Sequence, residues 1–135
     1  MTLDEARDEL VGALTGVAAV VDELQVYGYW NDTPSPPALD VYPGTPFLDG
    51  AGMGVESARV FFTVRARAEM ADTESGQRLL YRLLDPADDA SVEAAMAVAD
   101  WVVVPEGVSG FTQYADDAPA NERLLGVEWR VGKFL

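Results

Sequence analysis

The stretch Ala58–Met70 reads Ala-Arg-Val-Phe-Phe-Thr-Val-Arg-Ala-Arg-Ala-Glu-Met, and its side chains alternate in character. One face of a pleated strand here carries the apolar set Val60, Phe62, Val64, Ala66, Ala68 and Met70. The other face carries the mostly polar set Phe61, Thr63, Arg65, Arg67 and Glu69. Parallel strands buried on both faces read as continuous apolar runs instead. The alternation therefore predicts an antiparallel sheet that is covered on one side.

The period changes from two to 3.6 directly after this strand. Beyond a turn at Ala71–Ser75, a helical apolar stripe is formed by Leu79, Leu80, Leu83 and Leu84. Pro86 ends the helix because proline cannot continue it. We expect this helix to lie back across the apolar face of the central strand.

Composition limits the class of protein. The chain has 135 residues, which predicts a single domain over residues 1–135 with a real core. It has neither an apolar run long enough to span a membrane nor a signal-peptide pattern, so we expect a soluble protein made without export. Cys and His are absent. The net charge of −14 opposes gripping nucleic acid, since that affinity comes from neutralising phosphates.

Four elements are predicted before the central strand. A capping box of Thr2 and Glu5 begins a helix over about residues 3–15, with Gly16 as its stop. Residues 25–30 form a first strand and residues 38–42 a short second one. A long loop from Pro43 to Ser57 precedes the central strand. It carries Phe47, Leu48 and Met53, which pack either on their own domain or on a neighbouring subunit.

The elements after residue 86 complete an α+β fold. We predict a helix from Ser91 to about Asp100, a strand over residues 101–104 that ends at Pro105, and a strand over residues 110–115. The last strand, Arg123–Phe134, alternates cleanly and forms a hairpin with the strand before it. The expected architecture is an antiparallel sheet with helices packed on one face and a long loop before the central strand.

No constellation in the sequence points to catalysis. The glycines of residues 50–54 half-resemble a phosphate-binding loop, but a strand follows them where that motif needs a helix. Acidic pairs such as Asp116/Asp117 are expected by chance in so acidic a chain. With no thiol, no imidazole and no cofactor motif, we expect no enzyme, no catalytic residues, no cofactor and no metal site.

Arg65 and Arg67 stand beside Phe61 on the outer face of the central strand. They are either solvated surface arginines or part of a contact with another acidic subunit, with arginines and carboxylates pairing across the seam. Together with Phe47, Leu48 and Met53, these three residues are the predicted subunit interface.

The layout of the whole chain resembles the tail terminator proteins of long-tailed, siphovirus-type bacteriophages. The likeness lies in the order of helices and strands and in the residue patterns of several short segments. It includes the strand Arg59–Arg67, the helix entered through Ser-Gly-Gln-Arg-Leu-Leu at residues 75–80, the segment Asp88–Ala95 and the final Gly-Val-Glu-Trp-Arg-Val strand at residues 126–131.

This resemblance implies a structural virion protein at the head-tail junction, made in the host cytoplasm. Such a subunit forms a ring, expected to be a hexamer, at the head-proximal end of the tail tube and ends tube polymerisation. Its partners are then other copies of itself, the major tail tube protein and a head-to-tail connector or stopper protein. DNA passes through without being gripped, and no membrane is involved. The alternatives are another neck or connector subunit, or a small cellular α+β binding module with a ligand under the long loop.

Overall fold

A computed structural model describes residues 2–31, 36–49, 59–70, 73–114, 119 and 123–134. The described elements are, in chain order, α1 (Leu3–Ala18), β1 (Gln25–Tyr27), β2 (Ala38–Asp49), β3 (Arg59–Glu69), α2 (Thr73–Leu84), α3 (Val92–Val98), β4 (Val102–Val108), β5 (Thr112–Tyr114) and β6 (Leu124–Phe134). The predicted α+β class is confirmed.

These strands form one sheet in the order β1-β2-β3-β6-β4, with β5 also paired to β6. The long strands β2, β3 and β6 run antiparallel at its centre, as expected. The predicted hairpin between the last two strands is confirmed by the antiparallel pairing of β5 with β6. The short strand β1 differs from the prediction, because it pairs with β2 in parallel. The sheet is therefore mixed.

The core lies between the sheet and the helices. Of the six apolar side chains predicted for the inner face of the central strand, five are buried, and Met70, just beyond β3, is partly buried against the core. The inward residues of β6 are buried as well. The buried set is Val60, Phe62, Val64, Ala66, Ala68, Leu125, Val127, Trp129 and Val131. From α2, Leu80 and Leu83 join the same cluster. The strand–helix unit predicted from the change of period is confirmed, although α2 begins at Thr73, earlier than the apolar stripe indicates.

The predicted ends of two elements are wrong. α1 continues through Gly16 to Ala18, because the core includes Val17 one turn beyond Leu14. β4 continues through Pro105 to Val108, with a break in its register between Val103 and Val108. A strand at the sheet edge tolerates proline at such an irregularity, since no ladder hydrogen bond is lost there.

The long loop predicted for residues 43–57 is also wrong in its first half. Residues 43–49 belong to β2, which resumes its pairing with β3 at Leu48 and Asp49 after an irregularity. The pairing with β3 overrides the proline and glycine signals of this stretch, because an irregular register accommodates both. The second half of the predicted loop lies outside the described residues.

The helices are tied to the sheet by a polar link on the inner side. Lys133 of β6 forms a hydrogen bond and ion pair with Glu9 of α1, and its Nζ donates to the carbonyl oxygen of Ala99 at 2.7 Å. The indole Nε1 of Trp101 donates to the same Glu9 carboxylate at 3.1 Å. The helices thus lie on one face of the sheet, and the other face is available for a site.

Candidate functional site

The face of the sheet without helices, called here the outer face, is built by the register of β2, β3 and β6. Asp40, Arg65 and Glu128 lie side by side across the three strands. Two residues along β3, Thr63 lies between Tyr42 and Arg130. Directly opposed residues share one face of an antiparallel pair, so these side chains meet.

An arginine cluster, consisting of Asp40, Arg65 and Arg67, is buried on this face. Arg65 holds the Asp40 carboxylate with two hydrogen bonds, Nε to Oδ1 at 3.1 Å and Nη2 to Oδ2 at 2.6 Å. Arg67 Nη2 lies 3.3 Å from the same Oδ2 and donates to the carbonyl oxygen of Asn31 at 2.6 Å. One carboxylate therefore serves two guanidinium groups.

The two arginines differ in how their surroundings affect ionisation. Burial opposes the charge of Arg65, but the hydrogen bonds and charge of Asp40 prevail and raise its pKa. Burial lowers the pKa of Arg67, and the attraction of Asp40 offsets this only in part. Within the described part of the chain, Arg67 Nε is buried without a hydrogen-bond acceptor. The surroundings therefore stabilise the charge of Arg65 more fully than that of Arg67.

Three aromatic rings surround the Arg65 guanidinium. Its central carbon lies 4.5 Å from the ring centroid of Trp30 and 5.2 Å from those of Tyr42 and Tyr114. At such distances the negative faces of the rings attract the cation. Arg65 is therefore held by a carboxylate in the sheet and by rings around it.

Both tyrosines also donate to Glu128. Tyr42 Oη lies 2.8 Å and Tyr114 Oη 3.0 Å from its Oε1. Burial, followed by the hydrogen bond and charge of Glu128, raises the pKa of Tyr42 above its ordinary value. Burial and Glu128 likewise raise the pKa of Tyr114 to about 12. Both phenols are thus neutral donors at ordinary pH.

Gly126 makes room for the Tyr114 ring over β6. A Cβ at this position would lie against that ring and 2.7 Å from the carbonyl oxygen of Ala66. The ring therefore reaches Glu128 and Arg65 only because the strand has no side chain beneath it.

A second feature, called here the Phe61 pocket, occupies the other end of the outer face. The Phe61 ring lies over Gly132 and carries the guanidinium groups of Arg59 and Arg130 at 5.2 and 5.0 Å from its centroid. Beside it is a cavity of about 260 Å³, whose walls include Val102 and Phe134. These two side chains are 65% and 64% exposed. The pocket thus presents apolar surface among arginines.

The structure corrects the expected exposure of the central-strand residues. Phe61, Arg65 and Arg67 are buried within the chain itself, at 5%, 3% and 3% exposure. The prediction that they are exposed is wrong, because Asp40 from β2 and the surrounding rings cover them. The two arginines pair with Asp40 within the chain, and the role of all three residues in a subunit interface stays a prediction.

The other predicted interface residues fall in three different places. Phe47 is half-buried and packs edge-to-face on Phe62 at 5.3 Å, which is the own-domain alternative. Leu48 is exposed at the end of β2. Met53 lies outside the described residues. The role of these residues in a subunit interface stays a prediction.

The sequence analysis missed Asp40, Tyr42, Tyr114 and Glu128. A signal existed, since Leu39 and Val41 alternate with Asp40 and Tyr42 as inner and outer residues of one strand. The alternation of apolar and polar residues shows on which face of a strand a side chain lies, but not which residue of the neighbouring strand it opposes. It therefore could not place Asp40 opposite Arg65.

The polar side chains at the centre of the outer face are engaged with one another. Asp40 pairs with two arginines and Glu128 accepts from two tyrosines, which orients these side chains and packs them together. The described residues contain no group of three or more side chains placed to hold a metal ion. Across the described ranges, no helix combines the length and apolar character that crossing a membrane requires.

No family model matches the chain, and no curated protein matches it either.

Proposed function

We propose that the chain is a structural subunit of a long-tailed bacteriophage. It forms a ring, a hexamer, at the head-proximal end of the tail tube, ends tube polymerisation and joins the tail to the head or neck. Its role is assembly and not catalysis, and its place is the head-tail junction of the virion.

The observation that carries this proposal is the exposed apolar surface beside arginines at the Phe61 pocket. Val102 and Phe134 lie largely exposed there, and Val108 is exposed further along β4. Aromatic residues and arginine are enriched in the centres of protein interfaces, and clustered exposed apolar side chains mark a surface that another protein covers. The order of helices and strands, which resembles that of tail terminators, is the reason for proposing that this surface contacts other subunits of a phage tail.

The charge of the chain supports the same role. At a net charge of −14, the protein surface repels the phosphate backbone. A ring made of such subunits lets DNA slide through its centre without retaining it.

A tube-length assay tests the proposal. The major tail protein encoded beside this chain is polymerised with and without the purified chain, and the tubes are imaged by electron microscopy. We expect shorter tubes that carry a ring at one end when the chain is present. Unchanged tube lengths with no bound chain would refute the proposal, and so would the absence of any tail gene beside this one.

A cavity favours the small binding module as the second candidate. It encloses about 360 Å³ between the start of α1 and β2, and its walls include Leu3, Trp30, Val41, Phe47 and Phe62. This volume lies within the range of about 300–1,000 Å³ found for small-molecule sites. Native mass spectrometry of the purified chain decides: a retained small molecule that is lost in Phe47→Ala would favour this candidate.

A further inference from the structure

The cavity between the start of α1 and β2, called here the aromatic cavity, is walled largely by rings. Five of its lining residues are aromatic: Tyr29, Trp30, Tyr42, Phe47 and Phe62. It leads from an open rim down to the core, since Tyr29 and Trp30 are 61% and 53% exposed whereas Phe62 is 3% exposed. A recess of about 360 Å³ with mainly apolar walls has the form of a small-molecule site.

The arrangement of the rings suits a flat aromatic ligand. Trp30 and Tyr42 stand edge-to-face with centroids 4.6 Å apart, and Phe47 and Phe62 do the same at 5.3 Å. Aromatic rings prefer edge-to-face and offset-stacked contacts, so a planar aromatic ligand extends either pair. An apolar cavity of about 150 Å³ holds one benzene ring. The volume of about 360 Å³ therefore has room for a compound of two fused rings.

The charges at the rim cancel, which disfavours an ionic ligand. Among the described residues, the charged ones that line the cavity are Asp4 and Arg7, and Arg7 Nη2 lies 3.5 Å from Asp4 Oδ1. A further carboxylate, that of Asp8, lies 3.3 Å from the same nitrogen. The Tyr42 hydroxyl already donates to Glu128, so its proton is not available to a ligand. Moving an ion from water to apolar walls without a free counter-charge is costly, so a neutral ligand is favoured.

We propose that the aromatic cavity binds a small, neutral, planar aromatic compound of about two fused rings. The ligand lies among the rings of Trp30, Phe47 and Phe62, and Tyr29 covers it from the rim. The inference rests on the cavity that favours the second candidate function, and it goes further by naming the class of ligand. It is independent of the assembly of subunits into a ring.

Three probes that share a naphthalene ring and differ in charge test this inference. They are neutral naphthol, anionic naphthoate and cationic naphthylmethylammonium. Each is titrated into the isotope-labelled full chain, and NMR records the indole N–H signal of Trp30, which is assigned by its loss in Trp30→Phe. The indoles of Trp101 and Trp129, each 1% exposed, supply internal reference signals. We expect naphthol to shift the Trp30 signal and to bind at least about tenfold more tightly than either charged probe.

Two exposed tyrosines provide a matched pair of variants. Tyr29→Ala removes a ring from the rim, whereas Tyr81→Ala removes a similarly exposed ring on α2 that does not line the cavity. We expect Tyr29→Ala to weaken naphthol binding by about tenfold and Tyr81→Ala to leave it unchanged. Unchanged indole signals of Trp101 and Trp129 confirm that each variant is folded.

Three outcomes would overturn the inference. The first is a Trp30 signal that does not move with naphthol up to about 1 mM. The second is binding of either charged probe as tight as that of naphthol. The third is equal naphthol binding by Tyr29→Ala and Tyr81→Ala. A non-aromatic molecule retained in native mass spectrometry would preserve the second candidate function without this inference, and the tube-length assay tests the first candidate separately.

Discussion

At the scale of single residues, the outer face depends on Asp40, because two buried guanidinium groups share its carboxylate. Asp40→Asn keeps the shape and removes the charge. Removing one partner of a buried ion pair costs about 3–5 kcal/mol, because the other charge is left buried without compensation. We therefore expect the free energy of unfolding, measured in urea, to fall by that amount. The control is Glu74→Gln, which breaks the exposed pair with Arg78 and should cost less than about 1 kcal/mol. Equal effects of the two substitutions would mean that the cluster contributes no more than a surface pair.

The two phenols that donate to Glu128 predict a loss of stability at alkaline pH. Their pKa values are raised in the folded chain, that of Tyr114 to about 12, above the ordinary value of 10.0. Their neutral forms therefore contribute stability in full below about pH 10, and this contribution is lost as the pH rises through the folded values. Urea unfolding measured at increasing pH should show stability falling above pH 10, and Tyr42→Phe with Tyr114→Phe should flatten this fall. Tyr29→Phe, at an exposed position, serves as the control. A fall of the same steepness in the double variant would contradict the assignment.

At the scale of elements, the sequence predicted well what depends on periodicity. The alternation of β3 and β6 and the helical stripe of α2 each assign buried side chains that the core contains. The sequence predicted poorly what depends on pairing. Residues 43–49 read as a loop from their prolines and glycine, yet β3 provides a partner that extends β2 to Asp49. The arginine cluster was missed for the same reason, because only the β2–β3 register brings Asp40 beside Arg65.

The contact between α2 and β3 can be tested by truncating one inward leucine. Leu83→Ala removes a side chain that is buried in the core, and we expect unfolding in urea to become easier by about 2–5 kcal/mol. Arg78→Ala on the exposed side of the same helix should change stability by less than about 0.5 kcal/mol. If the urea midpoints of both variants matched the wild type, α2 would not be covering the sheet.

A substitution at Gly126 tests how closely strand β6 packs against its neighbours. In Gly126→Ala, the new Cβ meets the carbonyl oxygen of Ala66, a backbone atom that cannot rotate away, and the ring of Tyr114. Overpacking of this kind costs about 1–3 kcal/mol, and it should also displace Tyr114 from Glu128. Gly110→Ala is the matched control, since its Cβ meets no described atom within 4 Å. Calorimetric melting of both variants checks the difference, and a stable Gly126→Ala with the Tyr114 pKa unchanged would contradict the close packing.

At the scale of the whole molecule, charge is distributed unevenly. The chain has eight arginines, and the outer face contains four of them: Arg59, Arg65, Arg67 and Arg130. The helix side carries exposed carboxylates on α1 and α2. On the outer face Asp40 and Glu128 oppose these arginines, and on the helix side Arg7 and Arg78 pair with the carboxylates. Neither face carries one sign of charge alone, so the net charge of −14 makes two copies repel each other at a distance.

This distribution predicts how salt affects self-association. Repulsion between the net charges of two copies acts over long distances, and the Debye length falls from about 30 Å at 0.01 M to about 8 Å at 0.15 M salt. Ion pairs between copies act only at contact distance, and with a net charge of −14 on each copy the long-range repulsion is the larger electrostatic effect. Salt should thus remove more repulsion than attraction, and association measured by sedimentation should strengthen between these two concentrations. A chain whose association weakens steadily with added salt would mean that arginine–carboxylate pairs between copies outweigh the repulsion of their net charges.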